Sequence, residues 1–424
     1  MKYTKKVFKN GLTLITIPMK DNPTVSVFVA SSTGSEYETE KTNGLSHFLE
    51  HMCFKGTKKR PTAKIITGEL DQIGAQNNAF TSQEYTAYYA KADKRHFDVI
   101  LDVVSDIYLN PEFPKTELEK ERGVILQEYK MYLDDLRSHV SDIWSELLYG
   151  DQPAGWRIIG TPETISKLQR KDFVSYHKKQ YSASNTTVVV AGNIDEKEVQ
   201  KKVAKTFKTI NTGTYKKKKK VIENQKSPNI KIFYKDSDQT HIVLGVRSFD
   251  VHDKRNRTMR VMRSVLSGGM SARLFQKMRE ELGICYYVYA SQDSFTNHGN
   301  FSISAGVDQN RLDIAISAII EEMRKLVLEK VTEDELQKIK EGMIGRLNLN
   351  LESSDDISKF YLDQNAMRTP LQTPQQIIED IEKVTADEIQ ELAREIFVDK
   401  NLNLAIVGKH KNTDALLKML TFSL

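Results

Sequence analysis

Apolar and polar residues alternate from Leu12 to Ile17, the period of a strand with one face turned inward. The spacing predicts a first strand over Leu12–Pro18 and a second over Thr24–Ser31. A similar pair, Ile230–Tyr234 and His241–Val246, opens the second half of the chain. Two later runs also share a layout. Asn185–Gly192 and Asn401–Gly408 are each entered from Asn, continue through apolar and β-branched residues, and end on Gly. They lie 216 residues apart in a chain of 424. Each follows an amphipathic helical stretch, Lys171–Gln180 and Ala386–Phe397, and Thr385 with Glu388 forms a capping box at the second. The economical reading is a large tandem repeat. Strands at hairpin spacing with long helices between them predict the α+β class: two homologous domains with mixed or antiparallel sheets and helices on one side. The expected division is an N-terminal domain over 1–215, a basic linker over 216–227 and a C-terminal domain over 228–424.

Composition supports this size. Hydrophobic residues make up 39% of the chain, enough for sizeable cores, and the length exceeds one ordinary core. The net charge is +5, from 62 basic and 57 acidic residues, and the run Lys216–Lys220 alone supplies the excess. A pI of 8.8 therefore does not point to nucleic acid. Between Val199 and Ile222 stand nine lysines and no acid, which reads as a solvated linker. The two cysteines, Cys53 and Cys285, make no disulfide framework and read as buried free thiols. No run approaches the length of a membrane span, and the N-terminus has no continuous apolar stretch of the secretory kind. The expectation is a cytoplasmic protein with neither membrane nor nucleic acid as partner.

The chemistry concentrates in His47-Phe48-Leu49-Glu50-His51. The stretch from Gly44 to Phe54 reads as helix, so two histidines four apart point the same way and suit a tetrahedral zinc ion. Glu50 lies one residue off that face, where it can move protons without ligating. The glutamate precedes the second histidine, the inverted form of the zinc-peptidase spacing. A catalytic zinc needs a third protein ligand. The helix predicted over Thr116–Asp135, opened by a Thr116/Glu119 capping box, offers Glu121 and Glu128, seven apart on one face. Spacing alone does not choose between them. The second half has no such motif: Arg257–Leu266 is a helix without a His-Glu-His cluster. A glycine-rich turn, Ser267–Ser271, follows it, then a predicted helix over Ala272–Leu282 stopped by Gly283. No lysine and hydroxyl follow the glycines, so this is not a phosphate loop.

GLSHFLEHMCFKGTKKR, then NAFTSQEYTAYYA, then the glutamate helix with 76 residues between His51 and Glu128, resembles the pitrilysin and mitochondrial-processing-peptidase family of zinc peptidases. The resemblance spans essentially the whole chain. It implies His47, His51 and Glu128 as ligands of one zinc per chain, Glu50 as general base and Glu121 as a carboxylate supporting the ligands. It implies an edge strand at Asn78, Ala79 and Phe80 that pairs with extended peptide. Arg279 and Tyr286, seven apart across a helix end, resemble the family's pair that clamps the peptide and stabilises the tetrahedral intermediate. The implied function is endopeptidase or oligopeptidase action on peptides or unfolded protein. Family members of this length pair into four domains around a chamber, so a homodimer is expected. Rival readings are a processing-peptidase subunit needing a non-catalytic partner, a peptide-binding or scaffold subunit without activity, and a structural metal protein.

Overall fold

The computed structural model of the chain describes residues 2–422. Its strands form two sheets. The first contains β1 (Thr4–Val7), β2 (Thr13–Pro18), β3 (Thr24–Ser31), β4 (Gln76–Thr81), β5 (Thr86–Asp93) and β6 (Thr186–Gly192), in the order β1-β2-β6-β3-β5-β4. The second contains β7 (Asn229–Tyr234), β8 (Gln239–Ser248), β9 (Cys285–Ser294), β10 (Gly299–Asp308) and β11 (Asn403–Gly408), in the order β7-β11-β8-β10-β9. Removing β1 makes the two orders identical. The parallel pair also recurs, β2 with β6 and β7 with β11, while every other pairing is antiparallel. Val188 stands between Leu14 and Val29, and Ala405 between Lys231 and Val243, on corresponding strands of the two sheets; at the 216-residue offset the counterpart of Val188 is Leu404, between Ile230 and Leu244. The chain is a tandem pair of α+β domains, and the repeat read from Asn185–Gly192 and Asn401–Gly408 is a repeat of topology.

The division between the two compact units is not a single cut. One comprises Met1–Lys130, Trp156–Lys219 and Leu349–Thr373, and the other Met131–Gly155, Lys220–Asn348 and Pro374–Leu424. A chain crossing falls at 219/220, within the expected linker, but each unit also takes in one segment from the opposite half of the sequence. This corrects the expectation of contiguous domains, and with it that of helices on one side only.

The reason lies in the strands. β3 is buried along nearly its whole length, so both of its faces need covering. Val25, Val27 and Val29 pack with Leu45, Phe48, Leu49 and Met52 and with the helix Phe97–Leu109. The opposite face carries Ser26, Phe28 and Ala30, and over β3 and β6 lies the helix Ser354–Ala366. That helix is registered by polar contacts: Ser354 to Ser26 at 2.7 Å, Lys91 to Asp355 at 2.5 Å and Asn365 to Thr187 at 2.7 Å. In the other unit the helix Leu136–Tyr149 does the same, burying Val140, Ile143, Trp144 and Leu148 against Val243, Ala405 and Val407.

Two local expectations change. The glutamate helix spans Lys115–Asp134 and begins after Pro114, whose carbonyl accepts from Leu118 N–H at 2.9 Å. Thr116 therefore sits inside the first turn and caps nothing: proline, with no N–H to satisfy, has already set the start. The capping box at Thr385 and Glu388 is present as expected. The lysine run is not wholly solvated. Lys218 is buried between Glu36, at 2.7 Å, and Glu84, two carboxylates that are themselves buried. Cys53 and Cys285 are buried free thiols. Among the described residues no helix is long and apolar enough to cross a membrane.

Lys218→Met should cost about 3–5 kcal/mol in urea unfolding, because it strips the counter-charge from buried carboxylates. Burial lifts Glu36 to about 7 even though Lys218 opposes the shift. An acid with a raised folded pKa loses stability as pH rises, so the deficit should shrink from about pH 8 to about pH 6 as Glu36 takes up a proton.

Candidate metal centre

The histidine helix spans Leu45–Cys53 and buries Leu45, Ser46, Phe48, Leu49, Met52 and Cys53. With that face spent on the core, His47, Glu50 and His51 share the other. The helix starts at Gly44, at φ 91°, where a Cβ would meet Ile159 O at 2.6 Å. Gly44 has no side chain to cap with, and Glu38 acts from a distance instead. Its carboxylate accepts from Gly44 N–H at 2.8 Å, Ser46 N–H at 2.6 Å and Asn43 Nδ2 at 3.2 Å. Burial lifts Glu38 to about 7, with these donors pulling the other way. Sequence reading missed Glu38, because a cap eight residues before the amide it serves has no spacing signature.

The helix Lys115–Asp134 brings its two acids to the histidines in different ways. Glu121 Oε1 lies 2.8 Å from His51 Nδ1, and its other oxygen accepts from Lys55 Nζ at 2.6 Å. Since a carboxylate only accepts here, His51 carries its proton on Nδ1 and leaves Nε2 as a lone pair. Although burial opposes ionisation of Glu121, the hydrogen bonds from His51 and Lys55 hold it below the usual carboxylate value. Glu128 makes no such bond. Its Oε1 is 3.7 Å from His47 Nε2 and its Oε2 is 3.7 Å from His51 Nε2. One ligand atom from each of His47, His51 and Glu128 lies within 4.8 Å of the others. Zinc with bonds of roughly 2.0–2.2 Å spaces its tetrahedral ligands about 3.4 Å apart, so the cluster fits with small side-chain adjustments. Glu128 Oε2 is also buried without a hydrogen-bond partner, a costly position for a carboxylate oxygen unless a cation meets it. Burial, helped by His51, holds His47 down to about 3, which keeps its ring neutral as ligation requires. Burial works the same way on His51, but Glu121, Glu50 and Glu128 outweigh it and raise the ring's pKa.

Glu50 is not one of the three but lies close enough for its charge to act on His51. It accepts from Thr81 Oγ1 at 2.6 Å, and burial raises its carboxyl above the usual range. Thr81 ends β4, the edge of its sheet, which also carries Asn78, Ala79 and Phe80. Asn78 is exposed, and its side-chain oxygen accepts from Ala79 N–H at 2.9 Å. Phe80 packs edge-on against Tyr85, with Lys359 over its ring. Arg279 and Tyr286 belong to the other unit and meet each other there. Arg279 Nη1 donates to Cys285 O at 2.9 Å, and its guanidinium lies 5.3 Å from the Tyr286 ring centre. Tyr286 is 74% exposed at the start of β9, itself a sheet edge. The predicted helix over Ala272–Leu282 is an α-turn at Arg273–Phe275 widened into π over Gln276–Glu281, with Leu282 N–H donating to Lys277 O. Gly283, at φ 58°, stops it as expected.

Residues 14–162 match the family model described as Insulinase (Peptidase family M16), and residues 167–343 match that of the Peptidase M16 inactive domain. An uncharacterized zinc protease of Bacillus subtilis, YmxG, is 35% identical over 95% of this chain and 98% of its own. One from Rickettsia felis is 33% identical over 94% and 96%. Among solved structures, a protease from Helicobacter pylori superposes with a TM-score of 0.88 at 22% identity, covering 96% of this chain and 99% of its own.

The two acids of the Lys115–Asp134 helix should separate in a zinc titration. Glu128→Gln puts a poor ligand among the three and should cost more zinc affinity than Glu121→Gln, for which roughly ten- to a hundredfold is expected. The reverse order would move the ligand role to Glu121.

Proposed function

The chain belongs to the insulinase (peptidase M16) family, and on that premise we propose that it is a zinc-dependent endopeptidase or oligopeptidase acting on peptides and unfolded segments. The observation that carries this reading is the convergence of His47, His51 and Glu128, with Glu121 behind His51 and Glu50 beside them. The three would hold one zinc per chain, which supplies a Lewis acid for the peptide carbonyl. Glu121 fixes the His51 ring and its tautomer. Glu50, raised by burial, takes a proton from the attacking water and passes it to the leaving amine. Thr81 holds that carboxylate by a single hydrogen bond, leaving its other oxygen for the proton.

β4 is the strand on which an extended peptide would lie. Backbone pairing along Asn78, Ala79 and Phe80 tolerates many sequences, because ladder bonds ignore side chains. Arg279 offers two parallel donors to a substrate carbonyl or carboxylate, and the Tyr286 hydroxyl a donor to the oxygen that becomes negative. The protein would work as a homodimer enclosing its sites, with no nucleic acid or membrane partner. Its free thiols suit the reducing cytoplasm. A non-catalytic peptide-binding subunit would have no use for a carboxylate placed like Glu50.

Glu50→Gln should keep zinc and lose at least about a hundredfold in turnover of a quenched peptide, since it removes only proton transfer. Loss of zinc in this variant would make Glu50 a structural residue. Chelation should abolish the intact chain's activity, and added zinc should restore it. Mixing Glu50→Gln chains with Tyr286→Phe chains should restore activity, because a pair acting on the partner's site gives each heterodimer one intact site. No recovery after subunit exchange is demonstrated by native mass spectrometry would mean that Tyr286 serves its own chain. An active monomer would defeat the dimer.

A further inference from the structure

The second unit repeats the metal-bearing helices with different residues on them. The helix Asn256–Ser267 follows β8 as Leu45–Cys53 follows β3, and each packs against the edge strand of its sheet, β9 and β4. The buried positions of the histidine helix recur 213 residues later. Leu45, Ser46, Phe48, Leu49, Met52 and Cys53 correspond to Thr258, Met259, Val261, Met262, Val265 and Leu266, all buried. In that register His47, Glu50 and His51 correspond to Arg260, Arg263 and Ser264. The long helix Glu333–Leu349 is likewise the counterpart of Lys115–Asp134. Leu118, Glu121 and Ile125 correspond, 218 residues on, to Leu336, Ile339 and Met343, which pack into the second core, and Glu128 corresponds to Arg346.

Arg260 and Arg263 are half-buried one turn apart, and Arg346 is exposed. Among the described residues none of the three guanidiniums has a hydrogen bond or an ion pair within 4.0 Å, whereas Arg257 on the same helix pairs with Glu388 at 2.8 Å. Burial lowers the pKa of both Arg260 and Arg263. Asp380 offsets this at Arg260 while Arg263 adds to it, and at Arg263 the charge of Arg346 adds to it while Asp293 opposes. Arginine stays protonated under such pressure, so the three guanidiniums remain cationic, their repulsion offset in part by Asp380 and Asp293.

We propose that Arg260, Arg263 and Arg346 form an anion-binding site on the second unit, taking a multivalent oxyanion at the place where the first unit carries its metal ligands. Guanidinium forks match carboxylate and phosphoryl oxygens alike, and a bound oxyanion would relieve the repulsion that Arg263 shares with Arg260 and with Arg346. The site is independent of the peptidase reading.

The test is thermal melting in sulfate against chloride at equal ionic strength, for the intact chain and for Arg260→Gln/Arg263→Gln/Arg346→Gln. Sulfate stabilises folded proteins generally, so the site's contribution is the difference between the two chains. The intact chain should gain about 2–4 °C more than the triple variant, the shift that about 1 kcal/mol gives a domain of this size. Calorimetric titration with hexaglutamate identifies the source. Binding at least about tenfold tighter to the intact chain assigns the site to peptide carboxylates, and a sulfate effect without hexaglutamate binding assigns it to phosphate-like anions. A His47→Ala/His51→Ala chain should respond to sulfate as the intact chain does, which keeps this result separate from the fate of the zinc reading. Equal sulfate shifts in the intact and triple-variant chains would overturn the proposal. So would a triple variant that melts far below the intact chain in chloride alone, because the arginines would then be structural. Should the triple chain not fold, Arg263→Gln alone must lose the excess sulfate shift for the proposal to stand.

Discussion

The central strands of each sheet are buried on both faces, and that constraint organises the rest of the molecule. A strand such as β3, buried along nearly its whole length, cannot leave one side to water. The helices contiguous in sequence cover one face. The other is covered in each unit by a helix from the opposite half of the sequence, Ser354–Ala366 in one and Leu136–Tyr149 in the other. Neither unit closes its core with its own half alone. Cutting the chain in the lysine-rich segment would leave Ser26, Phe28 and Ala30 facing solvent in one piece, and Val243, Ala405 and Val407 in the other.

The same demand for burial creates the metal centre. A helix that spends one face on the core leaves a narrow outward stripe, and on Leu45–Cys53 that stripe holds His47, Glu50 and His51. Their roles are then separated by what each can reach. Glu121 accepts a hydrogen bond from His51 Nδ1, Glu50 accepts one from Thr81 on the edge strand, and Glu128 is left with a buried oxygen that has no hydrogen bond. Glu38 holds the start of this helix, and it lies beyond the short connection from Glu36, which Lys218 neutralises. The lysine run therefore supports the site's approach loop as well as linking two units.

What was legible in the sequence was whatever has a period or a spacing. Strand alternation placed β2 and β3, the Asn-to-Gly runs placed β6 and β11, and the four- and seven-residue intervals placed His47 with His51 and Glu121 with Glu128. Contacts without a local signature were not legible. Glu38 caps across a turn, Thr81 reaches Glu50 from another element, and Lys218 looks like its four neighbours in the run until it is seen between two acids. The exchanged helices were invisible for a related reason: amphipathicity says that a helix has an apolar face, and not which sheet that face will cover. Thr116 is the opposite case, a residue pair with the correct spacing for a capping box that Pro114 forestalled.

The two units show how little of a site's chemistry is fixed by its fold. Both place a helix after the same strand, bury the same pattern of positions on it, and bring a second long helix to their core. In one unit the outward stripe meets a facing carboxylate as His47, His51 and Glu128. In the other, Arg260 and Arg346 stand in register with His47 and Glu128, Arg263 with Glu50, and the place of His51 is taken by the buried Ser264. Guanidinium has no lone pair to offer a cation, so this exchange excludes a metal from the second position outright. It also makes the local charge cationic while the six buried positions matched on the first helix stay buried. That the second match is to a domain described as inactive agrees with this. The scaffold sets where charge is presented, and the residues at those few positions decide whether a cation or an anion is the fitting guest.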